Sequence, residues 1–194
     1  MTVLLIAGSP TSPSRSSALL EAVGWRLEGR GARIDRIAVR DLPGQPLVHA
    51  DWNHPSVQRM IAQVAEARVV VIATPVYKAA YSGILKVLLD LLPQDGLKGK
   101  TVLPLATGGS PHHMLALDYA LRPVLQALAA RQILPGVYAT DTQVTLTPEG
   151  AYQVHADLAR RLDDAAEALA AEGLKLAPQC GFDPIPFSQV RCSV

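Results

Sequence analysis

Three stretches of this 194-residue chain gather side chains and main-chain groups suited to a flat, phosphorylated ligand. The first reads Gly8-Ser9-Pro10-Thr11-Ser12-Pro13-Ser14-Arg15-Ser16-Ser17, with hydroxyls and one arginine ahead of a helix. Main-chain N–H groups and the positive end of a helix dipole favour a phosphate dianion there. Ser9, Ser14, Ser16 and Ser17 offer hydroxyl donors, and Arg15 adds a charge-assisted bond. The competing reading is a Ser/Pro turn that merely caps the helix. The loop has neither Gly-x-x-x-x-Gly-Lys nor Gly-x-Gly-x-x-Gly, which argues against ATP hydrolysis and NAD binding at this point.

The second stretch, Thr74 to Gly83, places Pro75, Val76, Tyr77 and Lys78 beyond an apolar run. A rigid proline, an apolar body and an aromatic make an edge for a planar heterocycle, and Ala79, Ala80 and Gly83 leave room for close approach. Tyr77 and Tyr81 are otherwise ordinary half-buried loop aromatics, and Lys78 an ordinary solvated lysine. The third stretch carries Thr107, Gly108, Gly109 and Ser110. Two glycines let a ligand lie against the main chain, whose N–H groups would stabilise negative charge arising on a reduced ring. A double glycine also occurs in ordinary turns. His112 and His113 are neighbours at a helix start, face different ways and lack a third ligand, so they read as surface residues.

These loops need strands to hold them. Strand-like and helix-like stretches alternate along the whole chain, the pattern of βαβ units around a parallel sheet. Strands are expected at Thr2–Ala7, Ala32–Val39, Arg68–Thr74, Lys100–Ala106 and Gly136–Thr140. RVVVIAT, apolar without alternation, is the central one, covered on both faces. Helices are expected over Ser16–Glu28, from Pro55 (capped by Asn53 or His54) to Ala67, over Gly83–Leu92 (capped by Ser82), His113–Gln132 and Val154–Glu172. The result is an α/β three-layer sandwich spanning residues 1–175, with an irregular tail over 176–194 that contains both cysteines, Cys180 and Cys192. In such a sheet ligands sit at the carboxyl ends of the strands, so the loops after strands one, three and four are where chemistry belongs.

Composition removes several function classes. Hydrophobic residues make up 49% and charged residues 18%, which fits a packed globular protein. A net charge of +1 without charged runs gives no field for nucleic acid or an anionic membrane. The first apolar run is too short, and lacks the basic flank, for a signal peptide, and no later run reaches the length of a membrane span. No Cys/His spacing suggests a metal site. The expected compartment is the cytoplasm.

Taken together, AGSPTSPSRSSALL, ATPVYKAAYSGILKVLLDLLP and GKTVLPLATGGS resemble the NADPH-dependent FMN reductases of two-component alkanesulfonate monooxygenase systems. The likeness runs from Met1 to about Asp141, and only a compatible final helix follows it. The resemblance implies a flavodoxin-like fold with a five-stranded parallel sheet in the order 2-1-3-4-5. It also implies FMN held with its phosphate at Ser9, Ser14, Arg15, Ser16 and Ser17, and its ring between Pro75–Lys78 and Thr107–Ser110. Hydride then passes from NADPH to FMN with no catalytic dyad, because the cofactors carry the chemistry. Homodimers or homotetramers and delivery of reduced FMN to an alkanesulfonate monooxygenase are implied as well. Within LALDYALRPVLQAL, Tyr119 matches the position where these reductases carry an extra residue that makes a π-bulge at a subunit interface, linked to flavin exchange. The alternative is a tyrosine on an amphipathic helix kinked by Pro123. Two rival functions remain at this point: an FMN-retaining NAD(P)H:quinone or azo reductase, and a flavodoxin-like electron carrier. The near-zero charge disfavours the second, since carriers meet their partners through charge complementarity.

Overall fold

A computed structural model of the chain describes residues 2–147 and 151–174. The segment expected to be an irregular tail, with Cys180 and Cys192, lies outside the described residues. Strand β1 (Thr2–Ala7) leads to helix α1 (Arg15–Glu28) and strand β2 (Arg33–Ala38). A short helix α2 (Gly44–Val48) and helix α3 (Pro55–Glu66) follow, then strand β3 (Val69–Tyr77), the two-residue strand β4 (Ala80–Tyr81) and helix α4 (Gly83–Asp90). Strand β5 (Thr101–Gly108) precedes a π-helical turn at Leu117–Leu121 that runs directly into helix α5 (Arg122–Ala127). Strands β6 (Gln132–Ile133) and β7 (Val137–Thr140), a hairpin of β8 (Val144–Leu146) and β9 (Tyr152–Val154), and helix α6 (Ala156–Gly173) are the remaining elements among the described residues.

The main sheet runs β2-β1-β3-β5-β6, all parallel, with β7 also parallel to β5 and β4 antiparallel to the end of β3. With β6 and β7 counted as one interrupted strand, this is the expected 2-1-3-4-5 order of flavodoxin-like folds. The sheet thus has seven strands and not five, and two local causes account for the difference. β4 arises because Lys78 and Ala79 form a two-residue turn that folds the chain back onto Val76 and Tyr77.

The fifth strand breaks because of Pro104. The Val102 carbonyl accepts from Leu134 N at 2.9 Å, so Val102, and two residues on Pro104, direct their main-chain groups toward the fifth strand. Proline has no N–H to offer there. The chain bulges through Leu134, Pro135 and Gly136 and rejoins the ladder where Val137 pairs with Leu105. Arg122 reaches across the break, donating to the Ile133 carbonyl at 3.3 Å and the Leu134 carbonyl at 3.5 Å. A β-carbon at Gly136 would lie 2.7 Å from Leu117 Cδ1, so that space belongs to the first residue of the π turn.

Strand alternation sends side chains to two cores. Leu4, Ile6, Val70, Ile72 and Val102 pack with Val57 and Met60 of α3, Leu85 and Leu88 of α4 and Leu125 of α5. Val3, Leu5, Val69, Val71 and Leu103 pack on the other face with Leu19 and Val23 of α1 and Leu158 and Leu162 of α6. The single helix expected over 113–132 is instead a 3-10 turn at Pro111–His113, the π turn and the short α5. Among the described residues no helix is long and apolar enough to cross a membrane.

Candidate active site

Because β1, β3 and β5 are parallel neighbours, the loops that leave their carboxyl ends meet at one edge of the sheet. A buried polar network fixes two of them to each other. The Ser82 N–H donates to Thr74 Oγ1 at 2.9 Å, and Thr74 Oγ1 donates to the Pro75 carbonyl at 2.9 Å. Ser82 Oγ donates to the Gly8 carbonyl and accepts from Leu85 N at 3.3 Å, which caps α4. Gly8 N donates to the Ala73 carbonyl at 2.7 Å, and a β-carbon at Gly8 would sit 2.9 Å from Leu85 Cβ, so the approach requires glycine. Every hydroxyl in this network has a partner, as buried groups in a low-dielectric interior must.

The loops enclose a cavity of about 260 Å³. From the first loop come Ser9, Thr11, Pro13, Ser14 and Arg15; from the second, Pro75, Val76 and Tyr77; from the third, Thr107, Gly108 and Gly109. Asp141 and Tyr152 complete the wall. Ser9 is buried, and its hydroxyl accepts from Thr11 N at 3.3 Å. Ser14 caps α1 by accepting from Ser17 N at 3.5 Å and lies 3.0 Å from Ser16 Oγ. Arg15, the first residue of α1, donates through Nε to the Val144 carbonyl at 3.1 Å, and the same nitrogen lies 3.8 Å from Asp141 Oδ1.

Four of the residues expected in the site do not line it. Ser16 is turned inward at 1% exposure, and Ser17 contributes its N–H to the cap. Lys78 is exposed on the hairpin turn. Ser110 uses its hydroxyl to cap the 3-10 turn, accepting from His112 N at 3.3 Å, while its carbonyl accepts from Tyr138 Oη at 2.6 Å. Burial, and secondarily the charge of Asp141, push the Tyr138 phenol above its ordinary pKa, so it remains a neutral donor. Tyr138 also explains the first glycine of the pair: a β-carbon at Gly108 would lie 2.5 Å from its Oη. Gly109 is exposed, with nothing nearer than Asp141 Oδ2 at 3.8 Å to the position a β-carbon would take.

Asp141 and Tyr152 were not among the expected site residues. Asp141 could have been found, since it follows directly on the predicted fifth strand and strand ends line ligand sites in this topology. Tyr152 carries no such signal, because the β8–β9 hairpin delivers it from outside the main sheet. Tyr119 lies in the middle of the π turn, does not line the cavity, and is 78% exposed. His112 and His113 are exposed, and among the described residues no cluster of His, Cys, Asp or Glu could hold a metal ion.

The hydroxyls and Arg15 at one end, the apolar Pro75–Tyr77 wall, and the unobstructed main chain at Gly109 suit a phosphate at one end of a flat ring. The family model for NADPH-dependent FMN reductases matches residues 1–145. The chain belongs to the NADPH-dependent FMN reductase family. An FMN reductase (NADPH) of Pseudomonas putida is 47% identical over 184 residues, covering 92% of this chain and 93% of that protein. An FMN reductase (NADPH) of Escherichia coli is 47% identical over 167 residues, covering 86% of this chain and 87% of that protein. Among solved structures, the apo form of an NADH:FMN oxidoreductase is similar with a TM-score of 0.81 and 34% identity, covering 92% of this chain and 91% of that one. Membership of this FMN reductase family makes the chain an oxidoreductase that uses NADPH to reduce FMN. The rival reading as an electron carrier is thereby set aside.

Proposed function

We propose that the reaction takes place in the cavity at the ends of β1, β3 and β5, and that reduced flavin then leaves for a partner monooxygenase. The observation that carries this reading is the convergence of a phosphate-type loop, an apolar aromatic wall and a double glycine on one cavity. Ser9, Ser14, Arg15 and the start of α1 hold the phosphate. Pro75, Val76 and Tyr77 flank one edge of the ring, and the main chain of Thr107–Gly109 flanks the other. When bound, FMN and NADPH supply the redox chemistry, a hydride moving from nicotinamide to flavin. The chain's own work is alignment of the two rings and N–H donors where negative charge arises.

The partner in this reading is an FMNH2-dependent alkanesulfonate monooxygenase that releases sulfur for use, working in the cytoplasm. Its support is the motif-level likeness of Ala7–Leu20, Ala73–Pro93 and Gly99–Ser110 to the reductases of those systems. Assembly as a homodimer or homotetramer is supported by Met114, Leu115 and Tyr119, apolar or aromatic side chains left exposed around the π turn.

The test mixes the protein with NADPH and excess FMN and follows loss of the reduced-nicotinamide absorbance. Turnover that depends on FMN is expected, and its absence would overturn the proposal. Arg15→Ala should weaken FMN binding roughly tenfold, as loss of one partly exposed charge-assisted contact does. Riboflavin, which lacks the phosphate, should bind both proteins alike. An unchanged FMN dissociation constant would remove Arg15 from the phosphate end.

A further inference from the structure

We infer that Asp141 sets how firmly the flavin is held, by keeping a fixed carboxylate in the end of the cavity that receives the phosphate. The inference rests on the assignment of that cavity to FMN. Asp141 follows directly on β7, and its N–H donates to the Gly108 carbonyl at 3.2 Å, so its main chain is tied to the end of β5. The side chain then projects into the wall shared with Ser9, Ser14, Arg15 and Gly109. Its Oδ1 lies 3.8 Å from Arg15 Nε, and both side chains are less than half exposed, 41% for Arg15 and 46% for Asp141.

Apart from its ion pair with Arg15, this carboxylate has no bonded partner among the described residues. Among the described residues it accepts no hydrogen bond, and its link to Arg15 is longer than one. Arg15 is positioned without it, since the guanidinium Nε already donates to the Val144 carbonyl at 3.1 Å. The side chain therefore acts as charge. It offsets part of the positive field of Arg15 and the α1 terminus, and it repels a phosphate dianion directly. The phosphate end attracts an anion and opposes it in the same few ångströms, which weakens the net hold on the flavin. A site meant only to retain FMN would gain from a neutral residue at this position.

Asp141→Asn removes the charge and keeps both the shape and the main-chain bond. Titration by flavin fluorescence should show FMN binding tightened on the order of tenfold, from the loss of a like charge across a partly solvated pocket. Riboflavin should bind the variant and the parent equally, and the gap in FMN affinity should shrink as salt screens the carboxylate. Asp141→Ser serves as the second neutral variant if the amide does not fold. An FMN dissociation constant that stays the same or rises would overturn the inference, as would an equal gain for riboflavin. Failure of the parent protein to bind FMN at all would instead sink the assignment of the cavity, so the two failures are distinguishable.

Discussion

Lys78 and Ala79 hold φ at 50° and 63°, the left-handed region that residues with a β-carbon avoid. Two such residues in succession make the hairpin turn whose twist matches the strands it joins, a place where Asn-Gly is the usual choice. The turn presents Val76 and Tyr77 to the cavity, so the strain is spent on the site's wall. Ala79→Gly should raise stability by about 0.5–1 kcal/mol in urea denaturation, the relief of the β-carbon clash less the added chain entropy. A loss of stability would show that the turn carries no strain. At this scale the sequence was informative where chemistry is carried by short loops at strand ends, as with Ser9, Ser14, Arg15, Pro75, Val76, Tyr77, Thr107, Gly108 and Gly109, all of which line the cavity. It does not reveal helix geometry, by which Ser16 turns inward one step after Arg15. Nor does it reveal a distant partner such as Tyr138, 28 positions along, whose hydroxyl donates to the Ser110 carbonyl.

Ser82 shows how one element end can serve two purposes. Its hydroxyl caps α4 through Leu85 N and also donates to the Gly8 carbonyl in another loop. The cap is legible from a serine before GILKVLLD, whereas the second bond requires knowing that β1 and β3 are neighbours. Ser82→Ala should cost about 2–3 kcal/mol, a lost cap together with a buried carbonyl left without its donor. Because the first and third-strand loops then lose the Ser82–Gly8 bond between them, FMN affinity should fall as well. Chemical denaturation and flavin titration on the same variant check both, and a change in neither would mean that packing alone aligns the loops. The helix after β5 was misjudged for a related reason. Amphipathic spacing from His113 to Gln132 reads as one helix, but a π turn and a left-handed Ala129, at φ 64°, divide it.

For the molecule as a whole, the end of the sheet opposite the candidate site has a tightly packed junction of its own. Gly173, the last residue of α6, leaves no room for a β-carbon, which would lie 2.5 Å from Val69 Cγ2 at the start of β3. Arg68 Nε donates to its carbonyl at 3.1 Å. Gly173→Ala should lower stability by about 1–3 kcal/mol through overpacking while leaving the FMN dissociation constant unchanged. A shift in flavin affinity would show that the two ends communicate. The layer order was legible because the β-branched run at Arg68–Thr74 could only be a central strand. The seven-strand count was not, because a proline inside an apolar run still looks like strand. The features around that proline have a joint meaning. Pro104 leaves a vacancy in the ladder, Gly136 crosses it with no side chain, Leu117 fills the hollow, and Arg122 satisfies the stranded carbonyls. The widened helical turn that carries Tyr119 is thus seated in a socket beside the proline of a sheet strand, so the irregular helix and the interrupted strand are two faces of one fit.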